Sequence, residues 1–391
     1  VAGVGGQRVA LVWDEALGGY DFGRGHPLAP VRVELTVELI RAVGLLDQPH
    51  VDLVRPGTLD EAEVLRVHRP RFVRAVQRLS ATPETTVDWS FGLGPGDTPA
   101  FAGMHDASML VCAASREAAR LVMDGEAIHA FSPGGGLHHA MPDRASGFCV
   151  YNDPAVAIDW LLEHGAERVA YIDVDVHHGD GVEVMFADDP RVLTVSLHES
   201  GRFLFPGTGA TDDVGGPGAP GSAANVPLLP GTDGAIWTEA FDAVVPALLE
   251  AFAPDVLVTQ LGCDTHVDDP LAHLALRVDD QVSIVARLHQ LAHELCDGRW
   301  VATGGGGYQL VQVVPRAWTA AFAEMAGVAL PDDVPVSWQR AATARGLGAA
   351  PTSFHDPVFE VDPAARQRAV SAARAATRAL RELVLPHHGA R

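Results

Sequence analysis

The chain has 391 residues with 47% hydrophobic and 20% charged side chains, the composition of a globular protein large enough for a sizeable core. Its formal net charge of −22 argues against nucleic acid as a direct partner, because phosphate binding needs a basic face. No run approaches the roughly 18 apolar residues of a membrane span. The stretch from Val1 to Leu17 contains Arg8, Asp14 and Glu15 and does not read as a signal peptide. Cys112, Cys149, Cys263 and Cys296 form no CxxC pair, which fits a reducing compartment. A soluble cytoplasmic protein without membrane contact is the expectation. All 28 basic residues are arginine, so lysine acetylation cannot regulate this chain.

Arg8–Trp13 reads as a first strand, and Pro30–Leu46 has helical spacing. His105–Met123 predicts a long alanine-rich helix. Ala127–Phe131, Val169–Val174, Val192–Leu197, Val256–Leu261 and Trp300–Ala302 predict short buried parallel strands. Pro246–Phe252 and Val282–Leu295 predict crossover helices between them, and the Gly/Pro-rich Asp212–Ala224 predicts a surface loop. The alternation implies one α/β domain, an open parallel sheet with helices on both faces. No linker interrupts residues 1–330. In 331–391, Pro331–Pro357 reads as irregular. Pro363–Leu385 then carries Val370, Ala373, Thr377, Leu380 and Val384 as a narrow apolar stripe, predicting an amphipathic helix docked on the same domain.

Five of the predicted strands run straight into residues suited to chemistry. They lead to His138 and His139, to Asp175, His177, His178 and Asp180, to Ser196 and His198, to Asp264, and to Gly304–Gly307 with Tyr308. Ligands of open parallel sheets bind beyond the carboxyl ends of the strands, so these groups are expected to converge.

In YIDVDVHHGDG, Asp173, Asp175 and His177 alternate at i, i+2 and i+4 and project to one side of a strand. Alone the segment is also compatible with a buried polar network. With Asp264 it gives an Asp/His/Asp set, three ligands with one open position, as in catalytic zinc sites. So oxygen-rich a set also accepts Fe(II) or Mn(II). One of the paired histidines can take a proton from metal-activated water, with Asp173 and Asp180 placed to orient the rings. Tyr308, after four glycines, can donate to a developing oxyanion.

HPLAPVR (His26–Arg32), GGGLHHA, SGFCVYNDPAVAI, YIDVDVHHGDGVE, TVSLHESGRFLFPGTG, QLGCDTHVDDPL and ATGGGGYQL resemble, in order, the blocks of the histone deacetylase superfamily. The likeness runs from about Arg8 to Ala326 and is nearest to the bacterial acetoin-utilisation type, which is class I-like. It implies the arginase/deacetylase-like fold, with a catalytic domain over 1–330. It also implies a hydrolase that removes acetyl groups from acetyl-lysine side chains of cytoplasmic proteins. Zinc would be held by Asp175, His177 and Asp264, with Fe2+ as an alternative metal. His139 would be the general base paired with Asp180, and His138 its electrostatic partner paired with Asp173. Tyr308 would polarise the acetyl carbonyl.

The resemblance further implies an acyl-lysine tunnel lined by Gly147, Phe148 and Phe205, with Leu271 nearby and Asp97 on the rim. Arg32 would lie in a cavity beneath the metal, where acetate leaves. A structural potassium would involve Asp173, Asp175, His177, Ser196 and Leu197. A second monovalent site would involve Phe186, Asp189, Val192 and Ser222. Leu137 departs from the aromatic that many class I relatives carry before the histidine pair. An acyl-CoA synthetase is the candidate protein partner. Two other readings stay open: a deacetylase of small amines such as acetylpolyamines, which tends to need an inserted loop not seen between Arg55 and Phe101, and a non-catalytic metal-containing binding protein.

Overall fold

A run of Val, Ile and Leu that is buried on both faces must satisfy its backbone through neighbouring strands. The computed structural model, which describes residues 8–83 and 87–389, does this in a single sheet. In chain order the strands are β1 (Val9–Val12), β2 (Val51–Val54), β3 (His129–Ser132), β4 (Val169–Asp173), β5 (Val192–Glu199), β6 (Ala223–Leu228), β7 (Val256–Gln260) and β8 (Trp300–Thr303). All pairs are parallel, in the order β2-β1-β3-β8-β7-β4-β5-β6. Every residue of β1, β3, β4, β5, β7 and β8 is buried, whereas β2 at one edge is half-exposed.

The flanking helices are α1 (Val31–Ala42), α2 (Glu61–Val67), α3 (Pro70–Ala81), α4 (Met104–Met123), α5 (Asp153–Glu163), α6 (Asp180–Phe186), α7 (Gly234–Phe252), α8 (Val278–Leu295), α9 (Val314–Met325), α10 (Val336–Ala344) and α11 (Pro363–Val384). The expected single α/β domain with a parallel sheet is therefore what the chain forms. Val1–Gln7 lie outside the described residues, and with them part of the reading of the chain start. Among the described residues no helix is long and apolar enough to cross a membrane, and all four cysteines are buried and free.

Three expectations need correction. The helix expected from Pro246 begins at Gly234, capped by the Asp233 carboxylate, which accepts from the Ile236 N–H; Pro246 is interior to it. Proline reads as a helix start because its missing N–H is harmless there, yet burial of Trp237, Phe241, Val245 and Leu248 overrides its cost. Pro331–Pro357 is not irregular throughout: α10 buries Trp338, whose indole N–H donates to the Leu35 carbonyl at 3.0 Å. Asp212–Ala224 is only half a surface loop, because Gly221–Ala224 are buried and Ala223 opens β6. Small residues there gave no apolar signal. The edge strand β2 was likewise too short and polar to stand out.

α11 packs on β6 and α7 through Ala373, Thr377, Leu380 and Val384, with Ala369 buried where Val370 is only half-buried. Arg374 pairs with Glu239 at 2.7 Å and Arg366 with Asp233 at 2.6 Å. Such exposed pairs contribute about 0–1 kcal/mol each, so the buried stripe carries the docking.

Candidate active site

The chemistry-bearing residues gather at the carboxyl edge of the central strands. β4 ends at Asp173, and the chain then turns tightly through Asp175 and His177 into α6. The turn holds itself: the Asp175 N–H donates to Asp173 Oδ1 at 3.1 Å and the His177 N–H to Asp175 Oδ1 at 2.9 Å. β7 delivers Asp264 from the next strand. His177 Nδ1 lies 3.0 Å from Asp175 Oδ1 and 3.1 Å from Asp264 Oδ2, and the three ligand atoms all lie within 4.8 Å of one another. The remaining carboxylate oxygens are tied back. Asp175 Oδ2 accepts from Gln260 Nε2 and the Gly306 N–H, both at 2.7 Å, and Asp264 Oδ1 accepts from the Val176 N–H at 2.9 Å.

Burial alone would lower His177, but its hydrogen bonds to Asp175 and Asp264 raise it well above its ordinary value. Burial, then the Asp175 charge, pushes Asp264 up to about 7. Two buried carboxylates flanking one imidazole are stabilised by positive charge placed between them. The donor set of two carboxylates and one imidazole, with its other atoms occupied, fits a divalent metal ion.

The histidine loop after β3 is fixed from behind. Asp153 accepts from the Leu137 N–H at 2.8 Å and the Gly136 N–H at 2.9 Å, and Asn152 Nδ2 donates to the His138 and Ala140 carbonyls at 3.0 Å. His138 Nδ1 lies 2.7 Å from Asp173 Oδ2, His139 Nδ1 lies 2.7 Å from Asp180 Oδ1, and the two Nε2 atoms are 3.0 Å apart. Burial works to lower His138, but Asp173 and Asp175 hold it up at about 9. Burial and the neighbouring His138 lower His139 to about 4. One proton is thus shared within the pair, which titrates as a unit.

Gly306 is a glycine because a Cβ there would fall 1.9 Å from Asp264 Oδ2. The following Tyr308 is held by its N–H, which donates to Asp269 Oδ2 at 2.7 Å, and its ring meets Phe148 edge-on at 5.7 Å. Asp269 also accepts from the Leu271 N–H at 3.0 Å, joining Leu271 to the tyrosine loop. Phe205 lies edge-on to His139 at 4.9 Å and is 44% exposed, at the mouth of the site. Gly147 backs closely onto both rings, leaving no room for a side chain. Asp97 is exposed beside it, and its Oδ2 accepts from the Gly147 N–H at 2.9 Å, so one oxygen already serves the protein. Arg32 donates to the Gly305 carbonyl at 2.6 Å and stands 5.0 Å from the Trp318 ring centroid, lining with Leu137 a cleft behind the histidine loop.

Asp173 and Ser196 are paired neighbours on β4 and β5, with Leu197 next in line. Phe186, Asp189, Val192 and Ser222 meet around the turn from α6 to β5. There Ser222 Oγ donates to the Ala187 carbonyl at 3.0 Å, while the Asp189 carboxylate is engaged by Arg191 at 2.7 Å. Sequence reasoning missed Gln260, Asp269, Asn152 and Asp153. All four lie inside the blocks that carry the family resemblance, but none stands at a spacing that marks a ligand or a base.

A model of the histone deacetylase domain matches residues 26–325. The acetoin utilization protein AcuC of Bacillus subtilis (strain 168) is 40% identical over 363 residues, 92% of each chain. The chain belongs to the histone deacetylase family. The AcuC protein of Staphylococcus xylosus is 33% identical over 356 residues, 90% of this chain and 91% of that protein. The crystal structure of a histone deacetylase homologue from Aquifex aeolicus superimposes with a TM-score of 0.82 at 26% identity, covering 95% of this chain and 100% of that one.

Proposed function

We propose that this histone deacetylase family member is a zinc-dependent amidohydrolase that removes acetyl groups from lysine side chains of cytoplasmic proteins. The observation that carries the reading is the convergence of Asp175, His177 and Asp264 with the His138–His139 pair and Tyr308 at one edge of the sheet. A divalent cation held by the first three, zinc or Fe2+, would supply an acidified water and polarise the acyl oxygen.

The protein's own groups do the rest. His139 is neutral near pH 7 and takes the water's proton; Asp180 fixes its tautomer. His138, held protonated by Asp173 and Asp175, keeps its own proton and stabilises the negative charge that develops beside His139. Tyr308, whose hydroxyl stays protonated because burial raises it well above its ordinary range, donates to the acyl oxygen. The proton then returns from the histidine pair to the leaving amine. Phe148 and Phe205, with Gly147 between, wall a slot for the lysine stem, whose four methylenes bury about 3 kcal/mol of apolar surface. Leu271 borders it, Asp97 holds substrate backbone at the rim, and Arg32 lines the acetate route. Potassium ions held mainly by backbone oxygens of Asp173, Asp175, His177, Ser196 and Leu197, and around Phe186, Asp189, Val192 and Ser222, would brace the metal loop.

The likeness to acetoin utilization proteins supports a role in acetoin utilisation, and an acetylated acyl-CoA synthetase is the candidate substrate we propose. The test compares kcat/KM on an acetyl-lysine peptide and on acetylputrescine, each with Asp97→Ala. The peptide should be preferred, and Asp97→Ala should raise its KM more than that of the amine. Preference for the amine by about tenfold, equal to about 1.4 kcal/mol, replaces this reading with a small-amine deacetylase.

A further inference from the structure

At the opposite, amino-terminal edge of the sheet lies a second cluster that the reaction does not use. His129 opens β3 and is wholly buried; His289 and His293 stand one turn apart on the last part of α8. His289 Nε2 lies 3.1 Å from His129 Nε2 and 3.1 Å from His293 Nε2, so three imidazole nitrogens from two elements point at one small volume. Ligand nitrogens at about 2.0–2.1 Å from a tetrahedral ion are about 3.3–3.4 Å apart, close to these separations.

Hydrogen bonding alone does not satisfy the cluster. His289 Nδ1 lies 3.1 Å from Glu324 Oε1, so Nδ1 carries the proton and Nε2 presents a single lone pair. Two neighbouring nitrogens compete for that lone pair, and buried His129 Nδ1 makes no well-aligned hydrogen bond. A cation instead engages all three Nε2 lone pairs at once. It also fixes the His129 proton on Nδ1, beside the Ile128 and Gly298 carbonyls. A carboxylate on the far nitrogen of a ligating histidine is the usual outer support of such a site. Here Glu324 supplies it from α9. Trp300 supports the rings as well. It stacks on His289 at 5.8 Å, meets His129 edge-on at 5.5 Å and is itself anchored by an N–H donated to Thr259 Oγ1 at 2.9 Å.

We propose that His129, His289 and His293 form a second metal site for a zinc-type divalent transition cation, separate from the catalytic centre. Three neutral nitrogen donors without thiolate or ligating carboxylate select zinc, cobalt, nickel or copper over magnesium or calcium. His293 is solvent-exposed, so solvent completes the coordination and the ion enters from that side. The site ties the first residue of β3 to the end of α8, just before β8, and thereby clamps two strands that both run on to the catalytic edge.

The test is metal counting on untagged protein, reconstituted with zinc and desalted, with the cobalt form examined for visible absorption. The wild type should hold about two equivalents per chain and Asp264→Ala about one. Adding His289→Gln and His293→Gln to Asp264→Ala should remove the last equivalent, the four-coordinate cobalt spectrum and the zinc-induced rise in unfolding midpoint. His293→Gln alone, on an exposed position, keeps the fold and the deacetylase rate while losing one equivalent. If Asp264→Ala binds no zinc, or if the histidine variants leave the count unchanged, the site does not exist. Loss of both equivalents in Asp264→Ala would overturn the proposal without touching the catalytic reading.

Discussion

Gly147 offers a direct test of how tightly the histidine pair is positioned. Its φ is +54°, and a Cβ at that position would lie 2.4 Å from His139 Cδ2 and 2.9 Å from Phe205 Cε1. The left-handed backbone costs alanine about 1 kcal/mol, too little to unfold a domain of this size. The overlap is the larger effect. Phe205 is half in solvent and can swing aside, but the His139 ring is held at both nitrogens, by Asp180 at 2.7 Å and His138 at 3.0 Å. Restoring ordinary contact requires roughly 1 Å of displacement of the ring, and a misplacement of that size costs on the order of 10²-fold in rate. Gly147→Ala should therefore lower kcat on an acetyl-lysine peptide by about 10²-fold with metal content unchanged. Gly134→Ala, in the same loop but with its nearest neighbour, the Leu17 side chain, at 3.7 Å, serves as the control and should retain activity. A Gly147→Ala enzyme within about threefold of wild-type kcat would show that ring position is not critical, and with it that His139 is not the base.

Tyr308→Phe should reduce kcat by about 10²-fold or more with little change in KM, read by steady-state kinetics; near-normal turnover would assign carbonyl polarisation elsewhere. His139→Ala should cost more than His138→Ala near neutral pH, within the 10²–10⁴-fold range of general-base catalysis, and equal losses across the pH profile would leave the two undistinguished. Buried His68, lowered to about 4 by burial, lies 3.0 Å from the Met141 carbonyl and accepts from the Asn152 N–H at 2.9 Å. Because its folded value lies below its unfolded one, the unfolded chain binds more protons between about pH 6.5 and 4. Stability is then lost as pH falls through that window, by about 3 kcal/mol from this group. Urea unfolding at pH 7.5 and 4.5 should show a smaller pH difference in His68→Gln than in the wild type.

The catalytic edge was legible because its strands are buried runs that end abruptly in charged residues. DVDVHHGDG, GGGLHHA and GGGGY each announce a strand end, and a parallel sheet brings strand ends together. The supports were not legible. Gln260 and Asp269 act through hydrogen bonds to Asp175, Gly262, Leu271 and Tyr308 that only the assembled fold sets up, and nothing in their spacing distinguishes them from surface polar residues. The start of α7 was hidden by Pro246, a local signal that tertiary burial overrode, and β6 by its small residues. The His129–His289–His293 cluster was half visible: an i, i+4 histidine pair stands in the sequence. Its third member depends on β8 lying between β3 and β7, an adjacency no local pattern encodes.

That adjacency also has a consequence for synthesis. β7 and β8 are the last strands made, yet they occupy the middle of the sheet, between β3 and β4. Until about Gln260 has left the ribosome, the nascent chain can complete only two three-stranded halves, β2-β1-β3 and β4-β5-β6, each with a bare inner edge of fully buried character, and the β3 edge stays bare until β8 follows. Bare edges of this kind template wrong pairing. Chains that stall or are cut before Val256 are expected to need chaperone protection, and none of them carries the complete Asp175–His177–Asp264 set, because Asp264 follows β7.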